Sequence, residues 1–251
     1  MRNRRRVKMK SLKYSIFICL LLFYTSLAQA DTISGSAGMG WLSWSTAALN
    51  ENGVPYWDNG SSDGSQKNVG YYLTNTGAFV GGSGPGAIPY WGNAGAADAN
   101  FYFQNGGNDS KAVLKIEIAG LADTNVFGWY DKGNSSFHPI FNGPDGAAAT
   151  ATFSPSAEYG FYLTSSDGTF KTEAGQGDQH FAVFKDVQQD GTIYYWLGIE
   201  DLKFCNSDKD YNDMIVKITP VPTSTTVPEP ATMLLLGFGL VGLAGARRQK
   251  K

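Results

Sequence analysis

The 251-residue chain carries 22 Asp/Glu against 20 Lys/Arg, a formal net charge of −2, with 42% apolar residues, enough to pack a core. The balance is uneven: every acid lies from Asp31 to Pro230, where only 9 bases accompany them, a local net charge of −13. That sign opposes nucleic-acid binding, whose affinity comes from Lys and Arg on phosphates, and favours cations.

Residues 1–30 read as a secretory signal helix. "MRNRRRVKMKSLK" supplies seven bases and no acid, "YSIFICLLLFYTSL" an apolar core, and "AQA" at Ala28–Ala30 a small-x-small cleavage site. The apolar run is shorter than the roughly 20 residues of a spanning helix. Cys19 lies inside the run and would leave with the signal. Cys205 then stands alone, so no intrachain disulfide is expected.

Residues 31–222 are expected to form one all-β domain, an antiparallel, jelly-roll-like β-sandwich, because short alternating runs recur between Gly, Asn, Asp and Ser clusters. The section 34–100 sets Trp41, Trp44, Trp57 and Trp91 among loops and is read as extra strands of the same sandwich. "GGSGPG" at 81–86 lacks the Gly-Lys-Ser/Thr of a phosphate loop and reads as a turn. "FYFQ" and "KAVLKIEIAG" flank Asn105-Gly106-Gly107, a hairpin signal. In the second run Ala112, Leu114, Ile116 and Ile118 share one parity, predicted buried, while Lys111, Lys115 and Glu117 fall with Val113 on a wet face.

Two further tight turns are expected, at Ser165–Gly168 and Gln189–Gly191, and a final strand "MIVKITPV" ended by Pro220 and Pro222. His138, placed in a turn before Pro139, and His180, at a strand start, have no cysteine or acid at metal spacing, which argues against zinc or a serine triad.

The densest chemistry lies in "FCNSDKDYNDMIV", 204–216. Asp208, Asp210 and Asn212 occupy alternate positions and Asp213 follows, a pattern that turns several oxygens onto one point, as calcium with its six to eight oxygen ligands requires. It is not an EF-hand, because Asp213 replaces the glycine and Thr219 the bidentate glutamate. Glu200 and Asp201 end the preceding strand; successive strand residues point to opposite faces, so only one of them aims at the loop, and which one stays open. Asp208, Asp210, Asn212, Asp213, Glu200 and Asp201 are thus the candidate calcium ligands, with Tyr211 packing inward. The competing reading is a solvated turn whose Asp and Asn side chains bond backbone amides.

"GFYLTSSDGTF" and "WLGIEDLKFCNSDKDYNDMIVKI" together resemble an uncharacterised domain of bacterial surface and calcium-rich secreted proteins, over about residues 110–220. Ile199 stands where that domain has Phe, and "KFCNS" replaces its Gly-Gly pair. The resemblance implies a β-sandwich with a calcium site and no catalytic activity.

A Pro/Thr/Ser linker leads to the last segment, so that 223–251 is read as linker and sorting segment. An apolar stretch from Ala231 to Ala246 is closed by Arg247, Arg248, Lys250 and Lys251. At sixteen residues it is marginal for a single transmembrane helix. Pro228, Glu229 and Pro230, the Gly-rich apolar stretch, then Arg247 and Arg248, resemble the PEP-CTERM sorting signal. That resemblance implies processing by an exosortase at the inner membrane, a membrane contact through the C-terminal helix, and delivery to the surface or extracellular matrix. The expected function is a non-enzymatic structural or adhesive role with a calcium-stabilised loop. The alternatives are a carbohydrate-binding module of the polysaccharide matrix and, third, a glycoside hydrolase, which needs two acids facing across a cleft.

Overall fold

Alternation of apolar and polar residues yields thirteen strands among the residues that the computed structural model describes, namely 31–35, 41–42, 57, 68–74, 90–91, 100–118, 120–143, 145–173, 178–221 and 237. They are β1 (Thr32–Gly35), β2 (Trp41–Leu42), β3 (Tyr90–Trp91), β4 (Phe101–Gln104), β5 (Asp109–Glu117), β6 (Val126–Asp131) and β7 (Phe137–Asn142). There follow β8 (Thr150–Phe153), β9 (Glu158–Ser165), β10 (Gly168–Lys171), β11 (Phe181–Val187), β12 (Ile193–Ile199) and β13 (Met214–Val221). The signal helix over 1–30, the C-terminal helix over 231–246 except Gly237, Trp44 and Pro222 lie outside the described residues. No helix among the described residues is long and apolar enough to cross a membrane.

Two antiparallel sheets result. One runs β1-β4-β9-β6-β7, with β10 also on β9; the other runs β2-β3-β11-β12-β13-β5-β8. Their facing sides share one core, in which Phe103 of the first sheet meets Tyr195 of the second at 5.3 Å and Phe161 meets Phe153 at 6.0 Å. Asp31 ties the sheets at the chain entry: Tyr159 Oη donates to its carboxylate at 2.6 Å and Tyr195 Oη to its carbonyl at 2.6 Å.

The outer face of the second sheet is covered as well. A six-residue helix, α1 (Val69–Thr74), packs there with Trp57, Tyr90, Phe184, Tyr211 and Ile215. The section 34–100 therefore adds short strands as expected, but also this helix, and it places Trp41 and Trp91 opposite each other in β2 and β3 rather than in loops. A pairing partner across the sheet outweighs the loop-like composition around them.

Two other sequence expectations change. Asn105–Gly107 is a tight turn, with Asn105 Oδ1 accepting from Gly107 N at 2.8 Å, but it passes from β4 in one sheet to β5 in the other and joins no hairpin. His138 lies in strand β7, not in a turn; β7 is a sheet edge, where Pro139 forfeits no ladder bond, and the imidazole stacks on Trp129 at 4.0 Å. Pro220 lies inside β13, which keeps the predicted run 214–221, and stands opposite Ser110 of β5 beyond Ile218, the last residue paired with β12. The hairpins at Ser165–Gly168 and around Gly191 form as expected.

The third change bears on the site. Opposite β13 the register slips: Val216 faces Leu114, Ile215 faces Ile116 and Met214 faces Glu117, so Lys115 is the extra residue of a β-bulge. A one-residue slip exchanges the faces. Ala112 and Leu114 point into the core as predicted, whereas Ile116 joins the outer cluster and Ile118 is 40% exposed. Glu117, assigned to the wet face by parity, shares the inner face with the buried Met214.

Gly198 in β12 lets the following loop lie flat against the sheet: a Cβ there would stand 2.6 Å from the Tyr211 carbonyl oxygen and 2.6 Å from Val69 Cγ2. Gly198→Ala is expected to cost about 1–3 kcal/mol through this overlap with backbone, measured by urea unfolding. An unchanged midpoint would contradict the close approach.

Candidate metal centre

The loop between β12 and β13 is held on three sides before any carboxylate is placed. Glu200 N donates to His180 O at 3.0 Å, extending the sheet by one residue. Asn206 N donates to Lys203 O at 2.7 Å, closing a turn that Lys203 anchors to Asp167 through its backbone N at 2.7 Å and its Nζ at 3.2 Å. Val69 N donates to Asp210 O at 2.8 Å, fastening the loop to α1.

The loop itself coils tightly. Lys209 (φ 63°) and Tyr211 (φ 57°) both take the left-handed conformation, which an aromatic residue rarely adopts. The fully buried Tyr211 ring, whose Oη donates to Gln179 O at 2.5 Å, holds it there. Left-handed residues thus alternate with Asp208, Asp210 and Asn212. Strain kept at such a position marks a site that the surrounding structure over-determines.

Carboxylate oxygens of Glu200, Asp208 and Asp210 lie within 4.8 Å of one another. Two oxygens on opposite sides of one calcium ion at 2.3–2.6 Å are separated by about that distance. Of the two strand-end acids, Glu200 therefore aims at the loop. Its two oxygens also accept from Ser207 Oγ and from Tyr211 N. Asn212 turns its amide toward Asp210, donating from Nδ2 and, at 3.1 Å, from its backbone N, so it orients a ligand with its NH2 group.

Asp201 points elsewhere. Its Oδ2 accepts from Asn125 Nδ2 at 3.0 Å, its carbonyl accepts from Ser165 Oγ at 2.6 Å, and its backbone N donates to Asp213 Oδ2 at 3.0 Å. The six sequence candidates are thus brought to one end of the sandwich, with Glu200, Asp208 and Asp210 converging and Asp201 and Asp213 set beside them. Sequence reading missed Ser207, which follows the spacing of no ligand motif and donates to Glu200, and Asn125, which lies far away in the chain and donates to Asp201.

Electrostatics make the convergence costly. Three ionised carboxylates at this spacing repel by about 3 kcal/mol per pair at an effective dielectric near 20, roughly 10 kcal/mol in all, comparable to the whole stability of a domain. Burial, with the charges of Asp208 and Asp210 adding to it, raises Glu200 to about 8. Burial, then the charges of Glu200 and Asp201, raises Asp213 to about 8. Asp201 is raised too, by burial first. The lysines nearest in sequence are engaged: Lys203 with Asp167, and Lys209 over the Phe204 ring at 4.5 Å.

A cleft of about 530 Å³ opens beside the loop, lined among others by Phe170, Lys171, Glu173, Asp178, His180 and Phe204. His180 stacks on Phe170 at 3.7 Å, and burial lowers its pKa to about 4, leaving it neutral near pH 7. Glu173 is bound by Lys132 Nζ at 3.0 Å and by Tyr130 Oη at 2.9 Å. Cys205 is exposed.

The raised carboxyls predict an inverted pH response. A group whose folded pKa lies above its unfolded one holds its proton more tightly when folded, so its stabilisation is complete below the unfolded value and vanishes as pH climbs through the folded one. For Glu200 that window runs from 4.5 to about 8. In chelator the melting temperature is expected to fall between about pH 6 and about pH 8.5, and calcium to remove most of the fall because it binds the deprotonated form. Equal chelator melts at both pH values would show that these acids are not crowded in solution.

Comparison with known protein families finds one feature: residues 226–249 match the PEP-CTERM protein-sorting motif. No curated protein matches the chain. The C-terminal segment thus carries a PEP-CTERM signal, which implies export, membrane-associated sorting by an exosortase-type system and delivery to the cell surface.

Proposed function

We propose that this exported protein is a non-enzymatic structural or adhesive component of the cell surface or extracellular matrix, a jelly-roll-like sandwich whose loop 200–213 is stiffened by calcium. The observation that carries the calcium reading is the convergence of Glu200, Asp208 and Asp210 within 4.8 Å. It suits an extracellular setting. Calcium is plentiful there, so a weak site suffices, and a cation that binds only the folded loop adds RT ln(1 + [L]/Kd), about 2.7 kcal/mol at a hundredfold excess over Kd.

A second reading, capture of matrix polysaccharide, rests on the cleft beside the loop with its stacked Phe170 and His180. It asks for exposed rings, whereas Phe137 is the one aromatic among the exposed large hydrophobic residues described. Hydrolysis fits less well. Glu173, an acid of that cleft, is tied to Lys132 and Tyr130 rather than set free for proton transfer.

Thermal melting of the purified chain with calcium and with chelator, repeated on Asp210→Ala, tests the proposal. Calcium is expected to raise the melting temperature of the wild type by about 5–10 °C at a hundredfold excess over Kd, and to leave the variant unmoved. Superimposable curves in all four samples would return the loop to a solvated turn. Retention on no polysaccharide in a pull-down would remove the second reading.

A further inference from the structure

The apolar cluster around α1 covers the outer face of the second sheet as far as Ile116 and Trp196. Beyond it the face turns basic. Ala112, Leu114, Val216 and Ile218 point into the core, so alternation sets Lys111, Val113, Lys217 and Thr219 outward. Pairing arranges them in rows: Trp196 faces Lys217, Lys217 faces Val113 and Val113 faces Thr150; in the next row Thr219 faces Lys111 and Lys111 faces Thr152. Lys115, the exposed residue of the bulge, stands near enough to Lys217 for the two charges to repel. Lys111 and Lys115 are about 13 Å apart by the rise of an antiparallel strand, with Lys217 opposite Val113 at the midpoint.

Aromatic rings hold the central ammonium in place. Lys217 Nζ lies 3.4 Å from the centre of the Tyr194 ring and 5.4 Å from that of Trp196, whose Nε1 donates to Asp186 Oδ2 at 3.4 Å. Such an attraction orders a cation without neutralising it. Burial, then the charge of Lys115, lowers the Lys217 pKa, as befits an ammonium short of counter-charge. In a window of 22 acids and 9 bases, three bases share this face, and among the described residues none of the three forms an ion pair, unlike Lys132 and Lys203. The acids at its margins are engaged elsewhere, Asp186 with Trp196 and Asp109 with Ser154 Oγ at 2.6 Å.

The surroundings select the kind of anion. The core of a protein interface is apolar and poor in lysine, and none of the exposed large hydrophobic residues Ile118, Phe137 and Val187 lies in these rows. Duplex DNA, with one charge per ~1.7 Å, is repelled by the acidic remainder of the body. A chain of acidic sugars spaces its carboxylates among hydroxyls. The exposed Thr150 and Thr152, on the edge strand β8, offer hydroxyl partners beside the lysines, and an edge strand lets a long polymer run off the sheet.

We propose that this face, centred on Lys111, Lys115 and Lys217, docks an acidic polysaccharide lying along β5 and β13. The partner class is that of the second reading above, but the surface is separate from the cleft at His180 and needs neither that cleft nor calcium. Here the rings act by fixing Lys217, not by stacking on sugar.

Affinity electrophoresis of the full-length chain, in detergent and chelator, through gels holding polygalacturonate or neutral dextran tests the proposal. The bases of 1–30 and 247–251 are common to every variant, so differences report the body. Lys111→Gln/Lys115→Gln, at two exposed positions, is expected to weaken polygalacturonate binding about tenfold at about 50 mM salt. Lys171→Gln/Lys203→Gln, an equal loss of charge at the cleft, is expected to weaken it less than about threefold, and dextran to retard none of the chains. Equal weakening in both double variants would reduce binding to net charge and overturn the face. Weakening confined to the cleft variant would place the polymer there and overturn it as well, as would a wild type that polygalacturonate does not retard or that dextran retards equally. Tighter binding to duplex DNA or to anionic lipid vesicles than to polygalacturonate would overturn the choice of partner. Chelator in every arm keeps these outcomes apart from the fate of the calcium reading.

Discussion

Mutual repulsion among carboxylates packed at one end of the sandwich is the constraint on which the local structure turns. Glu200, Asp208 and Asp210 approach within 4.8 Å, and Glu200 and Asp210 are almost wholly buried. Nothing in chain connectivity demands that arrangement. The loop adopts two left-handed residues, gives up a side chain at position 198, and spends Ser207 and Asn212 on orienting acids. Such concentrated effort is intelligible if a divalent cation completes the structure, because the repulsion then becomes ligation.

The fold supplies the platform. Two sheets with a common aromatic core fix the ends of β12 and β13 relative to each other, and α1 with Trp57 and Tyr211 covers the outer face so that the loop cannot lift away. Asp167 on the β9–β10 turn holds Lys203, and Asp201 receives bonds from Ser165 and Asn125, so the loop is braced from both layers. The proposed cation, bound at this junction, would act on the relation between sheets rather than on one loop alone.

Much of this was legible in the residues. The β12 and β13 runs, the two Gly-containing hairpins and the inward packing of Tyr211 follow from alternation and turn chemistry. The acidic spacing led to the end of the molecule where Glu200, Asp208 and Asp210 converge, and strand alternation required that only one of Glu200 and Asp201 face the loop. It could not say which, because that depends on how β12 lies against β11 and β13. Glu117 was misplaced for a related reason: parity assumes an unbroken register, and the bulge at Lys115 exists only in the pairing with β13. Asn125 had no local signature at all, since its partner is 76 residues away. The turn at Asn105–Gly107 was recognised, but residues in a turn do not reveal which sheet the next strand will join.

The C-terminal PEP-CTERM motif and the proposed cation centre make a consistent pair: a chain sorted to the outside, with acids grouped as the proposed ion would require. Diffraction from crystals grown in calcium, collected at a long wavelength where calcium scatters anomalously, tests that account most directly. It predicts an anomalous peak within about 2.6 Å of oxygens from Glu200, Asp208 and Asp210. Ordered water without anomalous signal among those three side chains would contradict it.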